Sequence, residues 1–105
     1  MRRLGCLCFL IAMMAPASAA PAQAKTIEVT IDAPQYAPPE IEAKAGDTVE
    51  WTNKDILAHT ATMRGGWDVM IPPNKAARVL LKRPGQIEYY CRFHPNMRGR
   101  ITITP

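Results

Sequence analysis

The chain has 105 residues, with 13 Lys and Arg against 9 Asp and Glu, two His and three Cys. That is enough for one small domain and too little for a second core. The net charge of +4 leans on Arg2 and Arg3 at the extreme N-terminus, which weakens any argument for a nucleic-acid partner.

Met1-Arg2-Arg3 is a charged start, Leu4 to Ala15 an apolar run, and Ala17-Ser18-Ala19 a small-residue cleavage signal. This layout predicts a secretory signal peptide over 1–19. A second match, Ala22-Gln23-Ala24, allows cleavage as late as Ala24. The apolar run is about a dozen residues where a membrane span needs ~20, so no anchor is expected in the mature form. Cys6 and Cys8 lie too early, and lack the setting, for a lipoprotein. The expected location is the periplasm.

Residues 20–25 read as a spacer and 26–105 as a single domain. The mature chain then keeps 86 or 81 residues, eleven basic against nine acidic, and a single cysteine, Cys91. Small exported domains are often stapled by disulfides, but one thiol cannot form one within the chain. A lone thiol in an oxidising compartment must be protected or used.

From Lys25 onward, short alternating runs are separated by turn residues, and no segment has a sustained helical period. Ile27, Val29 and Ile31 alternate with Thr26, Glu28 and Thr30. Ile41, Ala43 and Ala45 alternate with Glu40, Glu42 and Lys44, and Val49 and Trp51 with Thr48, Glu50 and Thr52. Asn53-Lys54-Asp55 reads as a turn. His59, Ala61 and Met63 share one parity, and Thr60 and Thr62 the other. Gly65-Gly66 and Pro72-Pro73-Asn74 interrupt the chain. Ala77, Val79 and Leu81 form a further run, Ile87, Tyr89 and Cys91 another, and Ile101 and Ile103 the last. Seven or eight short strands at this spacing predict an all-β protein, a two-sheet sandwich or barrel. For so few residues the apolar core is thin, and a bound metal is a common supplement.

The segment Cys91-Arg92-Phe93-His94-Pro95-Asn96-Met97 places a thiol, an imidazole and a thioether in one inter-strand loop, and His59 starts an earlier strand. Each has a plain alternative: a small buried hydrophobe for Cys91, a structural hydrogen-bonder for either His, core filler for Met97. Together they are the donor set of a blue-copper site, and they use every Cys and His of the mature chain.

With its early single His and closing C-x2-H-x2-M loop, the sequence resembles the cupredoxins, specifically the amicyanin branch of the plastocyanin and pseudoazurin group. The short loop carries the likeness to that branch, and the resemblance spans Lys25 to Pro105. It implies a Greek-key β-sandwich and one type 1 copper ion. His59, Cys91 and His94 would be the equatorial ligands and Met97 the axial one. It also implies a monomeric one-electron carrier, not an enzyme, with a quinoprotein amine dehydrogenase as donor and a c-type cytochrome as acceptor. Two positions depart from the pattern. Thr60 stands where many members have Asn, and Trp67-Asp68-Val69-Met70 replaces a Gly- or Ser-containing turn. Pro38, Pro39, Pro72, Pro95 and Met70 are candidates for apolar surroundings, and Arg92, Arg98 and Arg100 suit an acidic partner.

Counting narrows the competitors. Multi-copper enzymes need more His, a binuclear copper centre needs two Cys, and structural zinc favours several thiolates. A thiol enzyme needs a cleft and an oxyanion site that this loop does not offer. A copper carrier or buffer would use the same ligands and is the alternative reading.

Overall fold

The computed structural model describes Gly5 and residues 23–105. The leader expected over 1–19 (Gly5 apart), with Cys6 and Cys8, lies outside the described residues, as do residues 20–22 of the expected spacer. Nine strands follow: β1 (Thr26–Asp32), β2 (Gln35–Ala37), β3 (Glu40–Lys44), β4 (Thr48–Asn53), β5 (His59–Thr62), β6 (Asp68–Ile71), β7 (Ala76–Leu80), β8 (Gly85–Tyr90) and β9 (Arg98–Thr104). They form two sheets, ordered β2-β1-β4-β7 and β3-β9-β8-β5-β6. The all-β sandwich matches the sequence expectation, with β2 as the strand that alternation does not reveal. Three residues are too few to show a period.

Most neighbours are antiparallel, but β1 runs parallel to β4 and β3 parallel to β9. The alternating residues of β1, β4 and β9 put Val29, Ile31, Val49, Trp51, Ile101 and Ile103 into the space between the sheets. At its centre four aromatic rings meet. Tyr89 lies 4.5 Å from Tyr36, 5.4 Å from Trp51 and 5.7 Å from Trp67, centroid to centroid. Trp51 Nε1–H donates to the Tyr89 hydroxyl at 3.1 Å, which satisfies a buried indole donor. Burial, only partly offset by that bond, pushes the Tyr89 phenol up to about 12.

Gly99 on β9 is where this cluster touches backbone. A Cβ there would lie 2.3 Å from Tyr89 Cζ, so only glycine lets the ring pack flat against the strand. Tyr36 reaches across from the other sheet, and its hydroxyl donates to the Thr60 carbonyl at 2.6 Å. The otherwise unremarked β2 thus pins the first residues of β5. Asp47 closes the β3–β4 turn by accepting from the backbone N–H groups of Lys25 and Lys44 at 2.8 and 2.9 Å. These bonds hold its carboxyl below the usual carboxylate range.

Candidate metal centre

The loop between β8 and β9 is closed by its own backbone. Cys91 N–H donates to the Met97 carbonyl at 3.1 Å, His94 N–H to the Cys91 carbonyl at 3.2 Å, and Met97 N–H to the His94 carbonyl at 2.8 Å. Two consecutive four-residue turns that share His94 result, so the spacing Cys91, His94, Met97 matches the corners of the loop. Cys91 and Met97 are buried, His94 is half-buried, and Arg92, Phe93, Pro95 and Asn96 face outward.

His59, at the first position of β5, comes to meet this loop. One donor atom each from His59, Cys91 and His94 lie within 4.8 Å of one another. Cys91 Sγ is 3.7 Å from His59 Nδ1 and 3.8 Å from His94 Nδ1, and the two imidazole centroids are 5.0 Å apart. Met97 is packed into the core at the end of the same loop.

The orientation of His59 is set by a residue that sequence reading took for part of a turn. Asp55 Oδ2 lies 2.8 Å from His59 Nε2. A carboxylate only accepts, so Nε2 carries the hydrogen and Nδ1 turns its lone pair toward the sulfur. The bond to His59 also draws the Asp55 carboxyl below its ordinary range. Asp55 is itself positioned by Asn53, fully buried at the end of β4. The Asn53 side chain accepts from Asp55 N–H at 2.9 Å and donates to the carbonyls of Leu57 and Ile71 at 2.7 and 3.0 Å. An acid four residues before a candidate ligand was the available signal.

Thr60 takes the structural place expected of an asparagine. Its N–H donates to Cys91 Sγ at 3.4 Å, and its hydroxyl accepts from Arg92 N–H at 2.9 Å. The hydroxyl also lies 2.9 Å from that of Thr62, which donates to Asp68 Oδ1 at 2.8 Å. Arg92 Nε closes the circuit onto the same Asp68 oxygen at 3.0 Å. This network explains why all four residues of β5 are buried, where alternation predicts that Thr60 and Thr62 face solvent. The unusual Asp68 is its outer anchor, and the bonds from Thr62 and Arg92 keep its carboxyl below the ordinary range.

Burial pushes the Cys91 thiol up. The Thr60 N–H and the two imidazoles outweigh it and bring the thiol down to about 6. The centre therefore favours a thiolate flanked by two imidazoles.

A cupredoxin-like domain matches residues 5–103. The chain belongs to the cupredoxin family. It is 30% identical over 95 residues to amicyanin of Paracoccus versutus, covering 84% of this chain and 72% of that protein. It is 33% identical over 89 residues to amicyanin-alpha of Methylorubrum extorquens, covering 78% and 75%. Plastocyanin of Prochlorothrix hollandica is 31% identical over 103 residues, covering 82% and 79%. Among solved structures, a reduced amicyanin mutant superposes with a TM-score of 0.69 at 30% identity, covering 74% of this chain and 81% of that one. A reduced Cu(I) amicyanin mutant at pH 4 gives 0.69 at 29% identity, with the same coverage. Within the family this cupredoxin is amicyanin-like, as its short ligand loop suggests.

Proposed function

We infer that this cupredoxin is an exported, monomeric blue-copper protein that carries one electron at a time. His59, Cys91, His94 and Met97 are the residues that would hold the copper. The observation that carries this is the meeting of a thiol and two imidazoles at the end of a sandwich, on a loop closed by its own hydrogen bonds.

The donor set fits copper. A soft, readily ionised sulfur and two nitrogen lone pairs suit both oxidation states, and a thioether suits a weak axial contact. When bound, copper supplies a one-electron Cu(II)/Cu(I) couple. The protein's part is to hold the donors still. Asp55 fixes His59, Thr60 N–H holds the sulfur, and the Thr60 hydroxyl ties down Arg92. A scaffold that does not rearrange keeps the barrier to electron transfer low. Half-buried His94 gives the site an edge near solvent, while the rest of it is closed. That closure favours a carrier of electrons over a carrier that must release copper.

Titrating the mature protein with Cu(II) should produce an intense visible band that ascorbate bleaches and air restores. Copper uptake with no such band would support a copper carrier or buffer instead. Met97→Gln should retain copper and lower the reduction potential, because an amide oxygen is a harder donor than a thioether and favours Cu(II). Each tenfold gain in that preference lowers it by about 60 mV. An unchanged potential by voltammetry would remove Met97 from the ligand set.

The apolar, positively flanked N-terminus supports export to the periplasm, and sequencing the periplasmic protein should find Ala20 or Lys25 as its first residue. Donor and acceptor are redox proteins. A quinoprotein amine dehydrogenase and a c-type cytochrome are the pair we propose, on the likeness to amicyanins.

A further inference from the structure

In the five-stranded sheet, β8 meets β9 along its whole length, from Gly85 opposite Ile103 to Tyr90 opposite Arg98. It meets β5 at a single pair, Thr62 opposite Tyr90. Beyond that pair β5 turns away through Met63 and Arg64, helped by Gly65, whose φ of +75° is left-handed. The parting of the two strands opens a groove of about 650 Å³ beside the ligand loop.

Its walls are amphipathic. Met63, Ile87, Tyr90 and Pro95 supply apolar surface, and Arg64 and Arg98 stand among them. Elsewhere the arginines near the site are spoken for: Arg92 pairs with Asp68, and Arg100 with Glu40 and Glu88. Among the described residues no carboxylate lies within ion-pair distance of Arg64 or Arg98. Glu88 also lines the groove, but Arg100 holds its carboxylate at 3.3 Å. Thus, of the three arginines that the sequence suggested for an acidic partner, only Arg98 remains free, and Arg64 joins it.

Both free guanidiniums are ordered in advance. Arg64 Cζ sits over the Tyr90 ring, 5.4 Å from its centroid. Arg98 Nε donates to the Pro95 carbonyl at 3.4 Å, and the residue is exposed. Two guanidiniums in one groove with apolar surface suit carboxylates carried by a folded partner. Tyr90 is bonded directly to Cys91, so whatever docks here lies one residue along the chain from the sulfur.

We propose that this groove docks an acidic, carboxylate-bearing segment of a redox partner, with Arg64 and Arg98 as its two anchors. This rests on the electron-carrier function and assigns it a partner chemistry and a docking face. Pro95 lines the groove and His94 does not.

The test uses the mature copper-loaded protein in its reduced form and two probes. Titration with tetraglutamate, followed by amide chemical shifts, should perturb Arg64, Tyr90 and Arg98 saturably. Arg64→Glu and Arg98→Glu should each weaken binding roughly three- to tenfold. Arg83→Glu makes the same charge change in the β7–β8 turn, where Arg83 also has no ion-pair partner among the described residues, and should leave binding unaltered. Oxidation by hexacyanoferrate(III) at low ionic strength should slow in the first two variants and not in the third, with the differences vanishing at high salt. Shifts scattered over the surface, or equal effects of all three reversals, would overturn the groove while leaving the electron carrier intact. If hexacyanoferrate(III) oxidises none of the proteins, the electron-carrier function itself fails, whatever the peptide does.

Discussion

Replacing Cys91 with Ser should abolish the visible band of the copper-loaded protein and lower its copper affinity more than 100-fold, while leaving the apo fold in place. The band belongs to charge transfer from a thiolate, and a serine oxygen is too hard and too rarely ionised to replace it. His59 and His94 remain, so weak copper binding persists without colour. The lower bound on affinity comes from comparison with a supporting residue. Loss of an outer hydrogen-bond partner typically costs about 10–100-fold, and Asp55→Asn should fall in that range with the band retained. The apo protein loses little, because a serine hydroxyl can still accept from Thr60 N–H, which now donates to Cys91 Sγ at 3.4 Å. A net change of about 1 kcal/mol is expected for one such exchange. Absorption spectra and competition with a chelator check both halves. A Ser variant that stays intensely coloured would place the copper elsewhere.

The metal loop was the most legible part of the chain because its chemistry is local. Cys91, His94 and Met97 are separated by one turn each, and the backbone bonds that close the loop repeat that interval. His59 was legible by scarcity, as one of two histidines. Strand alternation was readable wherever one face meets solvent, as in β1 and β4. It failed in β5, where Thr60 and Thr62 are covered by Arg92 and Asp68. Period two reports which side of a strand is buried and carries no information on polar cover. Nor does it name partners, so the parallel pairings of β1 with β4 and β3 with β9 were invisible. Asp55 and Tyr36 were missed for a related reason. One acts through a loop folded by Asn53, the other across the sandwich, and neither distance is written in the local pattern.

Trp51→Ala should leave the apo protein close to unfolding at room temperature, and copper should largely restore it. Trp51 is fully buried, with its ring 5.4 Å from both Trp67 and Tyr89. Truncating such a side chain costs about 3–5 kcal/mol through lost transfer energy and the cavity left behind. The Tyr89 hydroxyl also loses the indole N–H that now donates to it. A domain of this size has only ~4–12 kcal/mol in total, and Cys91, the one cysteine among the described residues, is in no disulfide that would limit the unfolded chain. The apo melting temperature should therefore drop by about 15–30 °C. Copper binds the folded centre and not the open chain, so at free copper 1,000 times its dissociation constant it returns about 4 kcal/mol. Paired melts of apo and copper-loaded protein, wild type and variant, measure both quantities. A drop below about 5 °C in the apo variant would mean that the aromatic cluster is not what holds the sandwich together. In that case the fixed geometry of the metal site would have to come from the ligand loop alone.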